Sequence, residues 1–146
     1  MPTSSRRNSS APAASLADWT RTYHAIRASD PQALIVGPNE AYYDTRFMPD
    51  FLSYAKASNV LPDIISWHEL SPSSLKSYRS SYASFRALER KGGGEVGGGI
   101  GPLPINIDEY ANRYNLSVPG GMVQWLSMFE DTKVYAAMPF WDIADN

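Results

Sequence analysis

The chain has 146 residues, 19% of them charged, a formal net charge of -2 and no cysteine. That length suits one domain burying roughly 68 to 70% of its unfolded surface. The near-balanced charge lacks the basic footprint of a nucleic-acid binder, and the absence of cysteine excludes disulfides and thiolate chemistry.

Residues 1–14 are Ser, Ala, Pro and Arg with no large apolar side chain beyond Met1, so they cannot offset the entropy of ordering and read as a disordered leader. The remaining residues, 15–146, read as one domain. Ser15 is placed as a helix cap, and Leu16, Trp19, Tyr23 and Ile26 recur at helical spacing as far as Ser29. Asp30-Pro31 ends that helix. The apolar run 33–36, closed by Gly37-Pro38, then reads as a buried strand. A second helix over 45–58 carries Phe47, Met48, Phe51, Leu52 and Ala55 on one side, with Pro49 confined to its first turn.

Residues 63–68 form the second expected strand, with Ser66 and His68 on one face and Ile65, Trp67 and Glu69 on the other. Ser71-Pro72 opens a third helix that ends at Lys91, followed by a Gly-rich connection. The third strand, 104–110, alternates Ile105 and Ile107 with Asn106 and Asp108, so strict parity places Glu109 on the isoleucine face. A helix over 120–130 and a strand over 134–141 complete the order. Strands alternating with helices predict a parallel sheet with right-handed crossovers. Two architectures fit: a four-stranded open α/β sandwich and about half of an eight-stranded barrel.

Several chemical signatures are weak. Residues 92–97 match a dinucleotide fingerprint letter by letter, but a helix precedes them and a strand follows, which is the wrong order for cradling phosphate. His24 and His68 are the only imidazoles, too thin a set for a metal centre, and no serine sits on a nucleophile elbow. No metal or other cofactor is expected. No apolar run approaches the roughly 18 residues of a membrane span, and neither membrane nor nucleic acid is an expected partner. The stronger pattern is positional: Asn39 and Glu40, His68 and Glu69, Glu109 and Tyr110, and Trp141 and Asp142 follow four successive strands at one sheet edge.

Four segments carry a resemblance: Arg27 through Pro38 (RASDPQALIVGP), Asp63-Ile64-Ile65-Ser66-Trp67-His68, Ile105-Asn106-Ile107-Asp108-Glu109-Tyr110, and Met138-Pro139-Phe140-Trp141-Asp142. In this order the chain resembles the second half of clan A glycoside hydrolases, most like family 39, the β-xylosidase and α-L-iduronidase group. The resemblance implies a partial (β/α)8 TIM barrel, strands five to eight, acting on a carbohydrate or glycoside. It implies Glu109 as the nucleophile of a retaining mechanism. His68, Asn39, Tyr110 and Trp141 would contact substrate, the last as an aromatic platform. Asp108 and Asn106 would face the helices and need hydrogen-bond partners there.

In that family the acid/base glutamate follows an asparagine on the fourth strand, upstream of the helix that begins here near Ser15, where only the leader is found. Asn39-Glu40 copies the dipeptide one strand late, leaving Glu40 as a secondary acid. The expectation is therefore little hydrolysis by this chain alone. The alternative is a non-catalytic carbohydrate-binding or self-assembling half-barrel, in which a homodimer completes the ring. The sequence leaves the compartment open.

Overall fold

The computed structural model describes residues 13–91, 99–112, 114–116 and 118–139. Helices and strands alternate: α1 (Ala13–Ser29), β1 (Val36–Glu40), α2 (Phe47–Ala57), β2 (Ile64–Glu69), α3 (Ser74–Lys91), β3 (Ile105–Tyr110), α4 (Pro119–Thr132) and β4 (Ala136–Pro139). All neighbouring strands are parallel, in the order β1-β2-β3-β4. The α/β class and the alternation agree with the sequence pattern. The leader up to residue 12, the Gly-rich connection at 92–98 with its fingerprint match, and the chain beyond Pro139 lie outside the described residues.

Two boundaries differ from expectation for local reasons. Helix α1 begins at Ala13, so Ser15 is an interior residue and not a cap; Ala13 and Ala14 are strong helix formers and extend the first turn. The first strand is Val36–Glu40, not 33–36. The Asp63 carboxylate accepts the Ile35 N–H at 2.8 Å and the Arg27 guanidinium at 2.6 Å, holding the segment before the strand by side-chain bonds. Ladder pairing starts only at Val36 against Ile64. Ile35 is buried there, but Leu34 is 62% exposed.

Successive parallel neighbours joined by right-handed crossovers must place their helices on one face of the sheet. The core lies on that face. Ile65, Trp67, Ile105, Ile107 and Tyr110 meet Phe51 and Leu52 of α2, Tyr78 and Phe85 of α3, and Trp125 and Phe129 of α4. Fully burying such side chains stabilises the fold by about 1.5–3 kcal/mol each. Helix α1 joins the same side. Its Trp19 ring meets Phe51 edge-on at 5.1 Å, and its indole N–H donates to the Val60 carbonyl at 2.9 Å.

The strand-face assignment of β3 is corrected. Ile105 and Ile107 are fully buried against the helices, and Asn106, paired with Ser66 across the ladder, lies with Asp108 on the helix-free face. The reason is hydrophobic: Ile65 is the ladder partner of Ile105 and Trp67 of Ile107, and these four form one apolar surface that only the helices can cover. The chain enters β3 under tight control. Glu89 of α3, 4% exposed, accepts the Leu103 N–H at 2.6 Å and an Arg86 N–H at 2.7 Å.

A Cβ on Gly37 would overlap the Trp19 six-membered ring, whereas one on Gly120 would meet nothing within 4 Å. Gly37→Ala is expected to destabilise the fold by about 1–3 kcal/mol through overpacking. Gly120→Ala, at the start of α4, is expected to be neutral or stabilising by up to about 1 kcal/mol. Urea unfolding of the two variants checks the contrast.

Candidate active site

The helix-free face is polar. Ser66 and His68 of β2 lie beside Asn106 and Asp108 of β3, on the side of the sheet away from the apolar core. At the C-terminal end of these strands the ladders lose register, between Trp67 and Glu69 on one pair and between Ile107 and Tyr110 on the other. Such an irregularity re-aims side chains. Tyr110 becomes the next residue on the core face after Ile107, and both intervening acids, Asp108 and Glu109, reach His68. Glu109 Oε2 lies 3.6 Å from His68 Nδ1, and Asp108 Oδ2 lies 3.9 Å from His68 Nε2.

His68 thus faces a carboxylate with each ring nitrogen. The neutral ring can donate to one of them and the imidazolium to both. The three side chains are largely but not fully buried, at 25% exposure for His68, 21% for Glu109 and 15% for Asp108. Asp108 Oδ1 accepts from the Asn106 amide, while its buried Oδ2 makes no hydrogen bond among the described residues. Burial pushes the Asp108 carboxyl above the usual aspartate range. The neighbouring Ser66 hydroxyl, the His68 charge and the Asn106 amide pull the other way, and the Glu109 charge adds to the rise. The Ser66 proton itself goes to Asn39 Oδ1, and the Asn39 N–H returns to Ser66 Oγ at 3.2 Å. Asn39 holds this position with a φ of 62°, a left-handed conformation that asparagine tolerates.

Of the residues expected at the site, Glu109, His68 and Asn39 come together on the open face. Tyr110 does not: it is 5% exposed and packs on Phe129 at 4.7 Å and Trp125 at 5.5 Å, so it is a core residue. Glu40 is also placed elsewhere. A third register shift pairs it with Trp67, on the helix side, where it lines a recess with Trp19, Phe47 and Phe51. Burial, with the Asp44 charge, raises its carboxyl there. Trp141 lies outside the described residues. Ser66, Asn106 and Asp108 are the members that parity assigned elsewhere or left unassigned. Aligning the polar alternation of β3 with that of β2 would have found them. Among the described residues no group of three or more His, Asp or Glu side chains is placed to hold a metal ion.

A parallel α/β layer with an acid–imidazole–acid group at its strand ends is an arrangement suited to acid–base and nucleophilic chemistry. No family model matches the chain. Over 121 residues, 83% of its length, it is 43% identical to a 3-O-β-L-arabinopyranosyl-α-L-arabinofuranosidase of Bifidobacterium pseudocatenulatum. Over 123 residues, 84% of its length, it is 42% identical to a 3-O-α-D-galactosyl-α-L-arabinofuranosidase of Bifidobacterium longum subsp. longum. Both relatives are glycosidases by name, and the chain spans 12% and 10% of their lengths. Among solved structures, N2152 from Neocallimastix frontalis superimposes with a TM-score of 0.77 at 35% identity, covering 88% of this chain and 30% of that one.

Carboxyls raised by burial favour the protonated form in the folded state, so folding binds protons and stability falls as pH rises. Asp108 and Glu69 are both raised in this way, Glu69 chiefly by burial. Thermal unfolding is therefore expected to show a melting temperature that declines as pH rises from the ordinary carboxylate range, about 4, toward neutrality. Asp108→Asn and Glu69→Gln are each expected to flatten that decline.

Proposed function

We propose that this chain is the nucleophile-bearing part of a retaining glycoside hydrolase acting on α-L-arabinofuranosides. The observation that carries this reading is Glu109, held beside His68 at the end of a parallel strand, in a chain similar to segments of two enzymes named as arabinofuranosidases. Their names favour an arabinofuranoside over the xylosides or iduronides of family 39, while the motifs still support a place in clan A. The barrel reading is supported by the strand order: four consecutive strands side by side, helices on one face and polar groups on the other, is how a (β/α)8 barrel segment is built.

In this mechanism the Glu109 carboxylate attacks the anomeric carbon as the bond to the aglycone oxygen breaks, the aglycone leaving as its alcohol with a proton from the general acid, and water then hydrolyses the glycosyl-enzyme. His68 Nδ1 positions one of its oxygens, and Asn39, fixed by Ser66, offers its amide to the sugar hydroxyls. Asp108, on the far nitrogen of His68, sets the ring's orientation. The general acid must lie about 5 to 5.5 Å from the nucleophile. Glu40 is on the other side of the sheet and does not serve. The acid in this reading belongs to the part of the relatives' length outside the shared segment, and an unactivated aglycone needs its proton in order to leave.

A dinitrophenyl leaving group departs without protonation and bypasses that gap. Incubation with dinitrophenyl 2-deoxy-2-fluoro-α-L-arabinofuranoside is expected to leave one covalent adduct, located by peptide mass spectrometry on Glu109. Glu109→Gln is expected to slow labelling by about 10³-fold or more. An adduct on another carboxylate, or one that survives Glu109→Gln, would overturn the assignment.

A second reading rests on the sheet margins. Leu34 ahead of β1 is 62% exposed, and Tyr135 and Met138 at β4 are 62% and 55% exposed. Unpaired outer strands flanked by apolar side chains suit pairing with a second copy, which would cover both edges. Sedimentation equilibrium is expected to show a dimer of the 16.2 kDa chain that Met138→Lys dissociates. A monomer at all concentrations excludes this reading.

A further inference from the structure

The helix side of the sheet holds a second opening of about 520 Å³, where the loop after β1 meets the beginning of α3. Its floor is Glu69, 3% exposed, which accepts the Trp67 indole N–H at 2.8 Å and is also bonded by the Ser74 hydroxyl. Tyr43 forms one wall. Its ring meets Trp67 edge-on at 5.3 Å, and its buried hydroxyl has no hydrogen-bond partner among the described residues. At the rim, the Tyr42 ring is 59% exposed.

The chemistry of this lining narrows the ligand. The Ser77 hydroxyl donates to the Ser73 carbonyl at 3.2 Å and the Ser81 hydroxyl to the Ser77 carbonyl at 3.4 Å. Their protons are thus committed one turn back along the helix, and their oxygens remain as acceptors toward the cleft. Among the described residues no Lys or Arg lines the opening, so nothing there favours an anion over the Glu69 carboxyl. A single carboxyl is too few ligands for a metal ion. Burial raises Glu69 toward its neutral form, which weakens the attraction for an organic cation. A neutral molecule rich in hydroxyl donors satisfies the serine oxygens and the orphaned Tyr43 hydroxyl, and its C–H face can lie on the Tyr42 ring.

We infer that the cleft between Tyr42, Tyr43 and the first turns of α3 binds a neutral sugar ring, at a site separate from Glu109 and on the opposite face of the sheet. The inference does not depend on the role given to Glu109. A polar, hydroxyl-lined cleft with one exposed aromatic ring selects carbohydrate over apolar ligands, because an apolar ligand would leave the buried Tyr43 hydroxyl without a partner and take the serine oxygens out of water.

The test is a titration of the ¹⁵N-labelled full chain with L-arabinose and with D-galactose, followed by amide chemical shifts. The expected result is saturable shifts at Tyr42, Tyr43, Leu70 and Ser77 with at least one sugar, retained in Glu109→Gln. Ser77→Phe, which fills the cleft from an exposed helical position, is expected to abolish them while the rest of the spectrum is unchanged. Tyr43→Phe is expected to weaken binding about tenfold, consistent with the loss of one well-placed hydrogen bond. No saturable shift with either sugar overturns the inference. So do shifts confined to the neighbourhood of His68 and Glu109, which would report the active-site reading alone, and binding that both Ser77→Phe and Tyr43→Phe leave intact.

Discussion

The arrangement of this molecule depends on a slip in two neighbouring ladders at the same height, after Trp67 and after Ile107. Below the slip, strict alternation gives one apolar and one polar face. Above it, two consecutive acids reach the polar side and Tyr110 drops back to the core. The hydrophobic demand of the helix side enforces this. Tyr110 fills the space between Trp125 and Phe129, and β3 satisfies that demand only by passing over Asp108 and Glu109. The same packing therefore supplies both the stability of the strand and the placement of its carboxylates.

The sheet is asymmetric in what each face asks of the sequence. The helix side is continuous hydrocarbon and aromatic surface from Phe51 to Phe129, interrupted by polar groups with dedicated partners such as Glu89 with Arg86 and Tyr78 with Thr132. The other side is a network of short side chains, Ser66 with Asn39 and Asn106 with Asp108, leading to His68. Polar groups tolerate such enclosure only when they are mutually bonded, and the Asp108 oxygen on this side that lacks a bond faces the imidazole.

Much of this was legible in the sequence. Alternating strands and helices, near-continuous apolar strands, and polar residues after each strand implied a parallel sheet with chemistry at one edge. What parity misjudged was Glu109, set on the isoleucine face, and what the resemblance misplaced were Tyr110 and Glu40. Period-two counting assumes an unbroken ladder, and each error lies at or just beyond a register shift. Which of the two faces the helices cover is likewise not a local property. Asn106 and Asp108 looked misplaced until their ladder partners were known, since Ile65 and Trp67 decide that Ile105 and Ile107 turn to the helices. The Ser15 cap and the early first strand failed differently: alanine propensity and the Asp63 bracket outweighed the local cues.

The bracket that Asp63 makes with Arg27 and the Ile35 amide has a consequence beyond its own segment. It joins the end of α1, the approach to β1 and the approach to β2 at the N-terminal edge of the sheet, the edge away from His68 and Glu109. The two ends of the strands are thereby divided in evolutionary terms. One end is a hub where three stretches of chain share a single carboxylate, and change at any of them must be matched at the others. At the opposite end, the loops that follow the strands can lengthen, shorten or exchange residues without disturbing that hub, which leaves specificity free to diverge on an inherited frame.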